Sequence, residues 1–226
     1  NIQEGDEVVG VRLTNGHNEL VLANRNGRAV RFDENAVRAM GRVSTGVRGM
    51  RLDGGDDEVV GMVVVNKPDE ETIMVVSENG YGKRSLVEDY RVTNRGGKGV
   101  KTLGITEKTG RLVAIKVVTD ENDLMIINKS GIVIRLSVKE CRVMGRATQG
   151  VRLINLTKKN DVIASVCKVM SSELEAVVED ESRKQMVATN ERINQDSTSA
   201  PATQFEDGDH IEESDSVADN NDVNNE

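Results

Sequence analysis

The chain has 226 residues, 30 Lys and Arg against 38 Asp and Glu, a formal net charge of -8 and 37% hydrophobic residues. It has no run of about 18 apolar residues, and no basic stretch followed by an apolar one at its start, which argues against a membrane span and a secretory signal. Cys141 and Cys167 stand far apart, so their spacing favours neither a disulfide framework nor a zinc site and fits a reducing cytoplasm.

Charge is divided unevenly along the chain. Residues 1–170 carry 27 Lys and Arg against 22 Asp and Glu, whereas residues 171–226 carry 3 against 16. Runs of Val, Ile, Leu and Met recur only in the first part. We therefore predict a basic folded domain over residues 1–170. We expect residues 171–226 to be an acidic, largely disordered tail, because so polar a segment cannot bury enough apolar surface to fold.

Three stretches of the first 170 residues align with one another at offsets of 53 and then 51 residues. Such a period is typical of folds built from repeated supersecondary units. The repeats are placed at about residues 6–56, 57–109 and 110–158. The recurring positions are the pairs Asn26-Gly27, Asn79-Gly80 and Ser130-Gly131, and three sets of arginines: Arg31, Arg84 and Arg135; Arg38, Arg91 and Arg142; Arg42, Arg95 and Arg146.

Each repeat is predicted to contain four short β-strands. β-Branched runs on either side of an Asn-Gly or Ser-Gly pair are typical of a hairpin, because the tight turn needs a positive φ that glycine adopts easily. This hairpin supplies the second and third strands of each repeat. The first strands are predicted at Val8–Val11, Val59–Met62 and Val113–Ile115, the second at Leu20–Leu22, Ile73–Val76 and Leu124–Ile127, and the fourth from Gly46, Gly99 and Gly150.

A partial fourth copy begins at Asp161 and supplies one predicted strand, over residues 161–168. Because that strand has no hairpin of its own, we expect it to pair with a neighbouring repeat and close it. Four-stranded units of this length predict an all-β, propeller-like β-pinwheel, with three blades and one closing strand in this chain. Three blades would leave an apolar end exposed, so we expect further repeats before Asn1 in the intact protein.

A glycine-rich basic loop precedes each fourth strand, at residues 41–46, 94–99 and 145–150. Small residues let a partner approach the backbone and leave its N–H groups free, and the basic side chains add charge, so the loops predict binding of DNA phosphates. The alternative is that the glycines serve only the turns and the arginines are solvated. The predicted DNA-binding residues are Arg31, Arg42, Arg48, Lys83, Arg84, Arg95, Lys98, Lys101, Arg135, Arg146 and Arg152.

One recurring set of arginines has a competing structural explanation. Arg38, Arg91 and Arg142 stand beside Glu34, Glu88 and Glu140 in the sequence, so structural pairing across blades competes with DNA binding as their predicted role, and we leave these arginines out of the site.

No catalytic or metal-binding residue is predicted. The two G-x-x-x-x-G loops lack the Lys-Ser/Thr pair and the helix of a nucleotide-binding loop. His17 and His210 have no second ligand nearby, and Tyr81 and Tyr90 fit a hairpin and a core better than a nucleophile.

Short phrases in all three repeats match one known family in order. They are Phe32-Asp33-Glu34, Met40-Gly41-Arg42, Thr45-Gly46-Val47-Arg48-Gly49, Glu78-Asn79-Gly80-Tyr81-Gly82-Lys83-Arg84 and Met144-Gly145-Arg146-Ala147-Thr148-Gln149-Gly150-Val151. On these phrases, residues 5–168 resemble the last three blades of the C-terminal domain of DNA gyrase A, a six-bladed β-pinwheel. The wrapping signature of that family, Q-R-R-G-G-K-G, lies in its first blade, and residues 93–99 match only its last five positions.

The resemblance implies a function for the parent protein. It implies a DNA-wrapping domain that supports ATP-dependent negative supercoiling by a type II topoisomerase of two A and two B subunits, in the cytoplasm and on the chromosome. Double-stranded DNA is the implied partner of this chain, while the B-type subunit of gyrase and the second A-type subunit would be bound by other parts. The catalytic tyrosine, ATP and Mg²⁺ belong elsewhere in the complex, so no cofactor is expected here.

Two alternatives stay open. The A-type subunit of topoisomerase IV has a similar C-terminal domain, usually with more degenerate repeats. A propeller-like protein-interaction scaffold would share the fold, but it would more often show aromatic or acidic contact positions than aligned Arg and Lys. The acidic tail has two interpretations of its own. It could serve only solubility, or it could compete with DNA for the basic face, since a tethered segment of opposite charge is present at high effective concentration.

Overall fold

Residues 1–156 and 161–171 are described by the computed structural model. The chain divides into the units Asn1–Glu179 and Asp180–Glu226, and all described residues belong to the first. The predicted tail, apart from Ser171, lies outside the described residues, so its structure and its boundary stay predictions. The described strands are β1 (Glu19–Asn24), β2 (Arg28–Asp33), β3 (Val59–Val65), β4 (Thr72–Ser77), β5 (Tyr81–Leu86), β6 (Val100–Lys101), β7 (Leu112–Val118), β8 (Asn122–Asn128), β9 (Val133–Ser137), β10 (Val151–Arg152) and β11 (Ile163–Met170).

Three hairpins form at the predicted turns. β1 pairs with β2, β4 with β5 and β8 with β9, all antiparallel. Gly27, Gly80 and Gly131 have φ angles of 74°, 78° and 83°, so the predicted need for positive φ is confirmed. After each hairpin follows one turn of 3-10 helix, at Glu34–Ala36, Val87–Asp89 and Val138–Glu140.

The sheets do not coincide with the sequence repeats. Their strand orders are β3-β1-β2-β6, β10-β5-β4-β7 and β11-β8-β9. The interpretation that one repeat supplies all four strands of a blade is therefore wrong, because the first and fourth strands of a repeat pair with the hairpin of the repeat before it. The partial copy obeys the same rule: β11 pairs with β8 of the third hairpin, which confirms the predicted closing strand.

Two predicted strands are absent from residues 1–56 of the structure. Neither Val8–Val11 nor the segment from Gly46 is a strand, and Val8, Val9 and Val11 are 65%, 57% and 77% exposed. The pairing rule explains both corrections. Strands of these two types pair with a preceding hairpin, and no hairpin precedes residue 8 in this sequence.

The sheets have an inner and an outer edge. β3 packs against β7, and β7 packs against β11, so these strands lie together at the inner edges. β6 and β10 lie at the opposite, outer edges of their sheets. Between the first and second sheets, a fully buried apolar core includes Val21, Ile73, Val75 and Leu103.

Candidate nucleic-acid interface

The outer edges of the first and second sheets are covered by segments that come from the following repeat. Residues 91–101 run along β2, where the Thr93 N–H donates to the Arg31 carbonyl oxygen at 2.8 Å. Residues 142–152 run along β5 in the same way, with Met144 N–H on the Arg84 carbonyl oxygen at 2.8 Å. We call residues 38–52, 91–104 and 142–156 the rim segments. They carry four, four and three Lys and Arg, and no Asp or Glu.

Most basic side chains of the rim segments are exposed. Arg38, Arg91 and Arg142 are among them, and none of the three forms an ion pair with an acid of residues 1–156 or 161–171. Their predicted structural pairing is thus wrong. Glu34 instead accepts a hydrogen bond from the Asn18 N–H at 2.5 Å, and bonds to Thr14 and Asn18 lower its pKa. The exposed rim side chains without an ion pair to a described acid are Arg38, Arg42, Arg48, Arg51, Arg91, Lys101, Arg142 and Arg152.

Two predicted residues are exposed but engaged. Lys98 forms an ion pair with Asp53 at 2.7 Å, and this hydrogen bond lowers the pKa of the Asp53 carboxyl. Arg152 donates to the Tyr81 hydroxyl at 2.9 Å and stacks over the ring at 5.5 Å from its centroid. Tyr81 therefore holds the Arg152 side chain in place through its hydroxyl and its ring.

The third-strand arginines do not face the rim, and this corrects their predicted role. Arg31 is 8% exposed, donates to the carbonyl oxygens of Val87 and Tyr90 at 2.8 and 2.9 Å, and pairs with Glu19. Arg84, also 8% exposed, donates to the Cys141 carbonyl oxygen at 2.8 Å and pairs with Asp120. These side chains hold the 3-10 turn of the next repeat against the strand.

Arg135, the third arginine of that set, is more exposed than Arg31 and Arg84. Arg135 has a 40% exposed side chain and pairs with Asp123. Lys83, another predicted contact, is 0% exposed, because it points into the core from β5. Burial lowers the pKa of Lys83 to about 8, and the opposing influence of Asp89 is smaller.

Arg95 and Arg146 connect neighbouring rim segments. Arg95 donates to the Ala36 and Arg48 carbonyl oxygens at 2.8 and 3.1 Å. Arg146 donates to the Asp89 and Lys101 carbonyl oxygens, both at 2.9 Å. Their guanidinium groups are therefore occupied by protein carbonyls, whereas their counterpart Arg42 is exposed.

The glycines that precede the fourth strands bring two parts of the protein together. A Cβ on Gly99 would come closer than 3.0 Å to the Ala29 carbonyl oxygen, and one on Gly150 would do the same at Gly82. Both glycines also have positive φ, 73° and 75°. At these two positions, the close partner of the backbone is the adjacent strand of the same sheet, β2 for Gly99 and β5 for Gly150.

The exposed rim arginines have a sequence signal that spacing alone does not reveal. Structural and exposed arginines recur with the same period, so repetition cannot separate them. The absence of Asp and Glu from all three rim segments does distinguish the exposed arginines, because acids near a phosphate site would repel the ligand. Within the described residues, no group of three His, Cys, Asp or Glu is arranged to hold a metal ion, and no helix is long and apolar enough to cross a membrane.

Comparisons with known proteins agree with this architecture. The family "DNA gyrase C-terminal domain, beta-propeller" matches residues 18–66, 71–119 and 122–167. Each match contains one hairpin and the inner-edge strand that pairs with it, which are three strands of one sheet.

Curated relatives are DNA gyrase A subunits. The protein of Staphylococcus aureus strain NCTC 8325 is 45% identical over 179 residues, which cover 79% of this chain and 20% of the relative. That of strain MRSA252 is 47% identical over 167 residues, or 74% of this chain and 19% of the relative. This chain thus spans about a fifth of the length of these relatives.

Solved structures show the same fold. The C-terminal domain of a DNA topoisomerase IV has a TM-score of 0.69 and 27% identity, covering 80% of this chain and 57% of that one. A DNA gyrase A C-terminal domain has a TM-score of 0.68 and 24% identity, covering 75% and 57%. With the repeats, the sheets and the family match in agreement, this chain belongs to the family of DNA gyrase C-terminal β-propeller domains.

Proposed function

We propose that this chain binds duplex DNA along its rim segments and bends it around the outer edges of the sheets. The observation that carries the proposal is the charge of these segments: exposed arginines and lysines recur in each of the three rim segments, with no Asp or Glu in their sequences. No recognition helix stands at this surface within the described residues. Phosphate neutralisation and counterion release would therefore dominate the affinity, and DNA deformability would supply what sequence preference exists.

The contact set differs from the one predicted from the sequence. Arg38, Arg91 and Arg142 enter it, because their side chains are exposed and free of described acids. The predicted residues Arg42, Arg48, Lys98, Lys101 and Arg152 stay in it. Arg31, Lys83, Arg84, Arg95 and Arg146 act through the protein framework, and Arg135 is held in an ion pair.

The activity of the whole protein is proposed from family membership. The parent would be a gyrase A-type subunit that acts with a second copy of itself and with the B-type subunit, using ATP and Mg²⁺ bound elsewhere, to introduce negative supercoils. This chain would serve by wrapping the DNA segment in the cytoplasm, on the chromosome.

A titration with duplex DNA at several salt concentrations tests the proposal. The triple variant Arg38→Ala, Arg91→Ala and Arg142→Ala should bind at least about tenfold more weakly at low salt, and its salt slope should fall by about 0.9 for each lost phosphate contact. The matched control is Lys67→Ala, Lys129→Ala and Lys168→Ala, which removes three exposed charges outside the rim segments. Equal losses in both triple variants would contradict a rim-specific interface.

Membership in a topoisomerase IV is the second candidate, favoured by the TM-score of 0.69 to a topoisomerase IV domain. The intact protein, combined with its B-type subunit and ATP, separates the two. Negative supercoiling of relaxed plasmid indicates gyrase, whereas unlinking of catenated plasmids without supercoiling indicates topoisomerase IV.

A further inference from the structure

Two buried polar side chains hold the backbone of the third rim segment from beneath. The Lys83 ammonium group donates to the Gly145 carbonyl oxygen at 2.9 Å, and the Ser85 hydroxyl donates to the Met144 carbonyl oxygen at 2.7 Å. Both residues are 0% exposed, and they lie two positions apart on one face of β5. Two successive carbonyl groups are therefore turned toward the core.

The direction of these carbonyls decides the direction of the adjoining N–H groups. In a trans peptide unit, the C=O and N–H bonds point in opposite directions. Since the Met144 and Gly145 carbonyls point inward, the N–H groups of Gly145 and Arg146 point outward. Neither N–H donates to a backbone acceptor within residues 1–156 and 161–171. Gly145 is exposed and has no side chain to cover them, and such adjacent N–H groups make an anion-binding concavity.

The polar pair is confined to the second repeat. The counterparts of Lys83 are Val30 and Ile134, and those of Ser85 are Phe32 and Leu136. Burial is the largest influence on Lys83 and lowers its pKa, as does Arg146, while Asp89 opposes them. A charge placed where the other repeats have apolar side chains costs stability, and such costs are typical of residues kept for function.

We propose that the backbone N–H groups of Gly145 and Arg146 bind a phosphate of the duplex, and that Lys83 and Ser85 are the positioning residues that turn these N–H groups outward. The inference rests on the proposed DNA-binding function and names one contact within it. The Arg146 side chain is already engaged with two protein carbonyls, so its contribution to this contact is the backbone N–H.

The amide NMR resonances of Gly145 and Arg146 test the contact, with a short DNA duplex added to the full chain at low salt. Both resonances should shift in the wild type. In the double variant Lys83→Met and Ser85→Ala these shifts should be lost, and affinity should fall by about ten- to a hundredfold, as for a hydrogen bond to a charged group. Ile134→Met, a substitution at the equivalent core position of the third repeat, should leave the shifts unchanged.

A second pair of variants acts on the N–H itself. Gly145→Ala keeps the N–H, and its Cβ would meet no atom within 4 Å. Gly145→Pro removes one of the two N–H groups, so it should lose part of the affinity that the double variant loses, with thermal unfolding and the remaining amide spectrum confirming the fold. If DNA shifts other rim amides but leaves those of Gly145 and Arg146 unchanged, this inference is overturned while the proposed function is supported. A wild type that binds no duplex would overturn both.

Discussion

Arg146 donates a hydrogen bond to the carbonyl oxygen of Lys101 at 2.9 Å, and thereby ties the third rim segment to the second. Arg95 repeats the bond one sheet earlier, with the Arg48 carbonyl oxygen as acceptor at 3.1 Å. Each guanidinium also reaches the 3-10 turn of the preceding repeat, at Asp89 and Ala36. These arginines thus link neighbouring repeats through hydrogen bonds. We expect their replacement to lower the free energy of unfolding.

Arg146→Ala and Arg142→Ala should therefore differ in their effects. Arg146→Ala removes two hydrogen bonds from a charged donor and should lower the free energy of unfolding by about 1–3 kcal/mol. Arg142→Ala removes an exposed side chain and should change stability by less than about 0.5 kcal/mol while weakening DNA binding. Urea unfolding and a DNA titration of both variants check this. Equal stability losses would show that the two arginines have similar structural roles.

Gly150→Ala should destabilise the domain far more than Gly46→Ala. Both glycines have positive φ, which costs an L-residue about 1 kcal/mol, but only at Gly150 would a Cβ also strike the Gly82 carbonyl oxygen, at 2.5 Å. At Gly46, no atom lies within 4 Å of the added Cβ. Thermal unfolding should show a clearly larger loss for Gly150→Ala. Similar losses would mean that backbone strain alone is at work.

The pKa of Lys83 predicts how stability depends on pH. Folding lowers this pKa from the ordinary 10.5 to about 8, mainly through burial. Between these values the unfolded state binds more protons than the folded state, so the contribution of Lys83 to the free energy of unfolding rises with pH. Relative to Lys83→Met, the wild type should gain on the order of 2 kcal/mol between about pH 7 and pH 10. Urea unfolding of both proteins at these pH values measures it, and parallel pH profiles would contradict the shift.

Truncation after Met170 should strengthen DNA binding. The removed residues carry 16 acids against 3 bases, so we expect them to compete with DNA for the basic rim when they are present. The gain should be largest at low salt, where charges are least screened. Titrations of the full and truncated chains at two salt concentrations test this. Equal DNA affinities of the full and truncated chains at low salt would show that the tail does not compete with DNA.

Strand pairing shows which parts of the fold local sequence patterns can predict. The hairpin around Asn79-Gly80 could be predicted because its turn chemistry and its β-branched flanks are local. That Val59–Val65 pairs with the preceding hairpin could not, since its alternation of side chains is the same whichever neighbour it joins. The two possible pairings differ only in which hairpin the strand packs against, and this packing involves residues far apart in the chain.

Residue order alone was enough to establish the repeat period, the three hairpins with their glycine turns, and the family, because each of these depends on which residues recur and at what spacing. The folded arrangement determined which basic side chains meet solvent. Arg31 and Arg91 belong to equally regular sets, yet Arg31 is buried against carbonyls of the next repeat and Arg91 is exposed at the outer edge. The difference arises because a guanidinium is stable wherever carbonyl or carboxylate acceptors surround it, and the fold alone determines where those acceptors lie.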